Sequence, residues 1–167
     1  MRVLDLMSSW VSHLPEIDLD VTGLGLNAEE MGQNPRLSAH VVHDLNGNPE
    51  LPFADGEFDA VVCTASVEYL IQPHDVFRSV RRVLKPGAPF VVTFSDRWFP
   101  PKAIQVWPML HAFERMGLVL DYFRRAGGFT ALGTESLRDW PRPADDAYAK
   151  QMAFSDPVFA VWGRAVP

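Results

Sequence analysis

Residues 41–69, VVHDLNGNPELPFADGEFDAVVCTASVEY, restrict the fold of this chain more than any other stretch. Two short apolar runs stand in it, 41–43 and 58–63, separated by the turn-rich loop LPFADGEF. β-branched runs of this length with punctuated ends are the pattern of strands buried in a parallel sheet. Open α/β sheets bind ligands beyond the carboxyl ends of their strands. The residues that follow the two runs are therefore the first site candidates: Asp44, Leu45 and Asn46, then Thr64, Ala65 and Ser66.

The rest of the chain alternates in the same way. Residues 3–7 and 19–25 read as the first two strands, 40–44 as the third and 58–63 as the fourth. Residues 89–95, 129–132 and 157–163 read as the last three. Residues 8–15 read as a turn and a short helix, capped by Ser8 or Ser9 and ended by Pro15. Asn27 is the N-cap of a second short helix, with Glu29 and Glu30 near its positive end. Residues 66–70 read as a helical turn and 73–84 as an amphipathic helix. Residues 102–117 read as a helix bent near Pro108, continued by 119–126 and ended by Gly127-Gly128. Residues 96–107, DRWFPPKAIQVW, are either a packed connection or a wall facing substrate, and 136–155 is a polar loop or hairpin arm. The expected architecture is α/β: a doubly wound, Rossmann-like, mostly parallel seven-stranded sheet with an antiparallel last strand, in one domain over 1–167.

The segments LPFADGEFDAVVCTASVEYL and VFRSVRRVLKPGAPFVVTFS resemble the class I S-adenosylmethionine-dependent methyltransferases of the small-molecule type, over residues 2–95. The resemblance implies S-adenosylmethionine as cofactor, S-adenosylhomocysteine as product and a small-molecule methyl acceptor. It implies that Asp44 lies near the adenine, that "LPF…FD" leads into the fourth strand, and that "RVLKPG" closes the helix before the fifth. Asp5 matches the family's first-strand aspartate. Cofactor contacts are then expected from Asp5, Met7, Ser8 and Ser9, from Gly25, Leu26 and Asn27, and from Asp44, Leu45, Asn46, Thr64, Ala65 and Ser66. His13, Glu68 and Tyr69, each near a strand end, are the candidates for proton transfer.

Two features depart from the family. Met7, Ser8, Ser9 and Trp10 stand where it has a glycine-rich turn, and Trp10 is expected to fill part of the space of the methionine moiety. Gly25 stands where it has an acidic residue for the ribose, so Asn27 or Glu29 must replace that carboxylate if cofactor binds. The first strand begins almost at residue 1, without the family's covering helices, so either the true start lies upstream or a partner, such as a second copy in a homodimer, covers that side. Two functions stay open: a methyltransferase, or an inactive methyltransferase-like domain that binds or scaffolds.

Other classes find little support. The net charge of −6 argues against nucleic acid or anionic membrane as a partner. No apolar run has the length of a membrane span. Cys63 is the one cysteine, so no internal disulfide is possible, and a cytoplasmic location is expected. His40 and His43 point to opposite faces of one strand and the other histidines are scattered, so no metal site is expected. There is no G-x-S-x-G turn for a serine hydrolase.

Overall fold

A computed structural model describes residues 1–167. Its strands are β1 (Arg2–Leu6), β2 (Asp20–Gly25), β3 (Ala39–Val42), β4 (Ala60–Thr64), β5 (Pro89–Ser95), β6 (Phe129–Leu137) and β7 (Val158–Ala165). They form one seven-stranded sheet in the order β3-β2-β1-β4-β5-β7-β6. β1 to β5 pair in parallel, and β7 lies antiparallel between β5 and β6. This is the expected Rossmann-like α/β architecture, and it places the ends of β1 to β5 along one edge. The strand order reverses between β1 and β4, where an open sheet leaves a crevice.

Three helices connect the strands: α1 (Ala28–Gly32), α2 (Pro73–Val83) and α3 (Ala112–Ala126). α2 begins with proline at its first position, where the missing N–H costs nothing. Its residues Val76, Phe77, Val80 and Val83 recur at helical spacing and are fully buried. Phe77 meets Phe90 of β5 at 4.9 Å and Phe123 of α3 at 4.8 Å, both edge to face. These contacts fix α2 and α3 on the same face of the sheet. Burial of each such side chain contributes about 1.5–3 kcal/mol.

The opposite face is less covered. Val62, Val91 and Trp162 are neighbours in the sheet register, as are Thr93 and Ala160, and all five are only partly buried.

The sequence reading differs from the structure at three connections. Residues 8–15 form no helix. Asp5, buried at the end of β1, instead accepts hydrogen bonds from Ser8 Oγ (2.7 Å) and Ser12 Oγ (2.5 Å). The Asn34 amide donates to Ser9 O and Ser12 Oγ. These distant partners hold the segment irregular, in competition with helical bonding. The helix expected from residue 102 starts only at Ala112. Before it, Trp107–Met109 is a single 3-10 turn with Pro108 at its start, and the fully buried Trp107 pins it to Phe94 at 5.1 Å. β6 runs past the expected residue 132 to Leu137, because it continues its pairing with β7 after an irregularity between Thr130 and Gly133.

Candidate functional site

A cavity of about 410 Å³ opens at the carboxyl ends of the strands, over the point where the strand order reverses. That size suits a small molecule or nucleoside cofactor. Met7 and Ser8 come from the end of β1, Gly25, Leu26 and Asn27 from the end of β2, and His43, Asp44, Leu45 and Asn46 from the loop after β3. Thr64 ends β4, Ala65 and Ser66 follow it, and Tyr69 and Leu70 come from the end of the turn beyond.

Two of these wall residues hold left-handed backbone without being glycine: Met7 at φ 60° and Ala65 at φ 50°. Such a conformation costs about 1–2 kcal/mol for a residue with a Cβ. Each sits where a strand turns sharply into the cavity, and strain of this kind collects at ligand sites.

The β1 and β2 ends are in direct contact. Ser8 N–H donates to Leu24 O at 2.8 Å. A Cβ added to Gly25 would lie 2.3 Å from Ser8 O, closer than any real contact. Glycine is therefore required at 25 by packing of backbone on backbone, and no carboxylate can stand there. The carboxylate that lines the cavity on this side is Glu30. It accepts hydrogen bonds from Asn27 Nδ2 at 2.9 Å and from the Ser9 hydroxyl. Asn27 itself caps α1, its Oδ1 accepting from the N–H groups of Glu29 and Glu30 at 3.0 and 3.2 Å. Asn27 and Ser9 thus orient Glu30. Of the two expected substitutes, Asn27 lines the cavity, whereas Glu29 is exposed and outside its wall.

The loop after β3 is a second polar wall. Asp44 Oδ1 accepts from Asn46 N–H at 2.9 Å, which shapes the turn. No hydrogen bond within the chain engages Asp44 Oδ2. The Asn46 amide is consumed in cross-bracing: its Nδ2 donates to Tyr69 O and its Oδ1 accepts from Ile71 N–H. Asn46 therefore locks the β3 and β4 ends together and has little left to offer a ligand. Lys102 lines the cavity too, and its ammonium lies 5.4 Å from the centre of the Phe99 ring.

The expected site residues separate in space. Met7, Ser8, Gly25, Leu26, Asn27, Asp44, Leu45, Asn46, Thr64, Ala65, Ser66 and Tyr69 share the cavity wall. Asp5 and Ser9 lie behind it and hold Ser8 and Glu30 in place. Burial pushes the Asp5 carboxyl above its ordinary range, against the lowering effect of the Ser12 and Ser8 hydroxyls. Trp10 is half exposed and not part of the wall, so it fills none of the space. His13 is exposed and also outside. Glu68 is buried beneath the wall, one oxygen without a partner, and desolvation pushes its carboxyl upward. Tyr69 reaches the cavity, and its hydroxyl accepts from Phe99 N–H at 3.0 Å. Burial raises the Tyr69 phenol, so it is a donor rather than a base at neutral pH.

Sequence reasoning missed Leu24, Glu30, His43, Leu70 and Lys102. Glu30 was detectable as an acid one helical turn beyond β2, but only the fold shows that the Asn27 amide turns it inward. No group of His, Cys, Asp and Glu side chains could hold a metal ion. No helix is long and apolar enough to cross a membrane.

Comparison with known proteins agrees with this geometry. The ubiquinone/menaquinone biosynthesis C-methyltransferase UbiE of Bartonella tribocorum is 29% identical over 142 residues, 82% of this chain and 53% of that protein. Its Bartonella henselae counterpart is 28% identical over 134 residues, 78% of this chain and 50% of that one. The chain thus spans about half the length of the curated relatives it matches. Among solved structures, a chain from the complex of the Haloferax volcanii Trm112 methyltransferase activator superposes with a TM-score of 0.67 at 18% identity, covering 99% of this chain and 83% of that one. The cyclase SpnF gives 0.64 at 19% identity over 99% and 76%. A SAM-dependent methyltransferase from Aquifex aeolicus gives 0.61 at 17% over 99% and 82%. At such identities the superpositions establish the fold alone, and the presence of a cyclase among them shows that this fold hosts more than one reaction. The profile of the methyltransferase domain family matches residues 4–92, more than half of the chain, and this chain belongs to that family.

Proposed function

We propose that the chain is an S-adenosylmethionine-dependent methyltransferase acting on a small organic molecule, with S-adenosylhomocysteine as the product. The observation that carries this reading is the 410 Å³ cavity at the reversal of strand order, walled by the ends of β1 to β4. Its chemistry fits the cofactor. Glu30 and Asp44 are carboxylates suited to ribose hydroxyls or an adenine amino group, Leu45 and Leu26 are apolar surfaces for a base, and Lys102 is a cation suited to the cofactor's own carboxylate. When bound, the cofactor supplies an already activated methyl group. The chain then has to orient, exclude water and hold protons. Tyr69, protonated at neutral pH, is placed to donate a hydrogen bond to an acceptor. The Bartonella relatives are named for methyl transfer to carbon, and we place that reaction class first for this chain as well.

One observation favours the second reading, a binding or scaffolding domain without activity: the glycine-free first turn, Met7-Ser8-Ser9. The partly covered sheet face around Val91 and Trp162 fits a homodimer under either reading, and a cytoplasmic location is part of both. Calorimetric titration with S-adenosylhomocysteine decides between them. Asp44→Ala and Glu30→Gln should each weaken binding by about 1–3 kcal/mol, roughly five- to 150-fold. Binding that neither variant changes would remove these residues from the site, and no binding to the unaltered chain would favour the scaffold.

A further inference from the structure

A second cavity, of about 490 Å³, lies beyond the end of β5, where the start of α3 and the end of β6 approach it. Apolar Trp98, Leu110 and Phe113 and charged Arg115, Arg138 and Asp96 line it. Arg115 is the unusual member. It is 6% exposed and lines this cavity. Its guanidinium lies 4.2 Å from the centre of the Trp98 ring and 5.7 Å from that of Trp107. Only its Nε–H donates a hydrogen bond within the chain, to Trp107 O at 3.1 Å. Its ion pair is long, 3.5 Å from Nη1 to Asp96 Oδ1, and the Asp96 side chain is half exposed. Desolvation raises the Glu68 carboxyl, and the Arg115 charge works against that shift.

A cation held out of water is stable only with close counter-charge and satisfied donors. Neither Nη group of Arg115 makes a hydrogen bond within the chain, and its one ion pair, to Asp96, is long. A carboxylate matches them, because a guanidinium offers parallel N–H bonds to its two oxygens. Arg138, its guanidinium 4.9 Å from the centre of the Phe159 ring, adds a second cation to the same wall. Two arginines against one aspartate make this cavity cationic in a chain whose net charge is −6.

We propose that this cavity binds an aromatic carboxylic acid, its carboxylate on Arg115 and Arg138 and its ring on Leu110 and Phe113, and that an electron-rich ring carbon of this acid is the methyl acceptor. That carbon bonds to the methyl carbon as the methyl–sulfur bond breaks. The electron pair stays on the sulfur of S-adenosylhomocysteine, and the ring proton leaves to water. The acceptor role rests on the methyltransferase reading above; the anion site does not. The segment between β5 and α3 borders both cavities: Asp96 and Trp98 line the second, Lys102 lines the first, and Phe99 N–H bonds to Tyr69 Oη.

The test is calorimetric titration of the whole chain with benzoate and with benzamide, its neutral counterpart of the same shape, beside S-adenosylhomocysteine. Benzoate should bind about tenfold or more tightly than benzamide, as expected for one charge-assisted contact. Arg138→Gln, at an exposed position, should remove about that factor while leaving the melting temperature and S-adenosylhomocysteine affinity unchanged. Arg115→Lys should weaken benzoate further, since a single ammonium cannot make the paired contact. Equal binding of benzoate and benzamide, or benzoate binding indifferent to Arg138→Gln, overturns the anion site. Failure of benzoate with normal S-adenosylhomocysteine binding overturns it too, and leaves the methyltransferase reading standing. Benzoate binding without any S-adenosylhomocysteine binding upholds the anion site and overturns the acceptor role.

Discussion

Replacing Gly25 by alanine probes how the β1 and β2 ends meet beneath the first cavity. The new Cβ would lie 2.3 Å from Ser8 O and 3.1 Å from Met31 Sδ. The methionine sulfur can move aside. The carbonyl cannot do so alone, because Ser8 is tied by its N–H to Leu24 O and by its hydroxyl to Asp5. A carbon and a carbonyl oxygen rest no closer than about 3.3 Å, so about 1 Å of separation has to come from backbone movement. Overpacking of this kind costs about 1–3 kcal/mol. For a chain of this size each kcal/mol lowers the melting temperature by about 2–4 °C, so the fall should be about 2–12 °C. The same movement displaces Met7 and Ser8 in the cavity wall, so S-adenosylhomocysteine affinity should fall as well. Leu26→Asp is a control for stability alone. Leu26 is 70% exposed, so its replacement should change unfolding stability by no more than about 0.5 kcal/mol, while S-adenosylhomocysteine affinity should fall because Leu26 lines the cavity. Thermal unfolding with and without S-adenosylhomocysteine reads both effects. A Gly25→Ala chain that melts and binds like the unaltered one refutes the packing argument.

Three further outcomes are expected. Asp5→Ala leaves Ser8 and Ser12 hydroxyls without their shared acceptor, and denaturant unfolding should show a loss of about 2–5 kcal/mol. Glu68 has its folded-state carboxyl raised, so its contribution to stability is complete below about pH 4 and is lost as pH rises through the raised value; Glu68→Gln should reduce the fall in melting temperature between acid and neutral pH, and an unchanged pH profile would count against it. Light scattering should find a homodimer, and Trp162→Glu, on the partly covered sheet face, should shift it toward monomer while a dimer indifferent to that change would place the interface elsewhere.

The sheet was legible because its strands are marked locally. Runs such as 58–63 and 89–95 are apolar, β-branched and closed by turn residues, and they keep that character wherever they pack. The wall of the first cavity followed from the same marks, since it consists of the residues just past each run. What sequence could not give depends on distant partners. Residues 8–15 look helical until Asp5 and Asn34 draw their hydroxyls and carbonyls away. Gly25 looks like a lost carboxylate until Ser8 O is seen packed on it. Glu30 looks like an ordinary first-turn acid until Asn27 and Ser9 are seen holding it in the cavity wall. Arg115 sits in an amphipathic helix where charge reads as solvent-facing, and only its tertiary position beneath Trp98 shows it buried.

A crystal structure of the chain grown with S-adenosylhomocysteine would show whether the strand-end cavity holds the cofactor. The ligand should lie at the junction of β1 and β4, with its adenosine between Leu26, Glu30, Asp44 and Leu45. Ligand bound elsewhere on the molecule, or an empty cavity at saturating ligand, would contradict that placement.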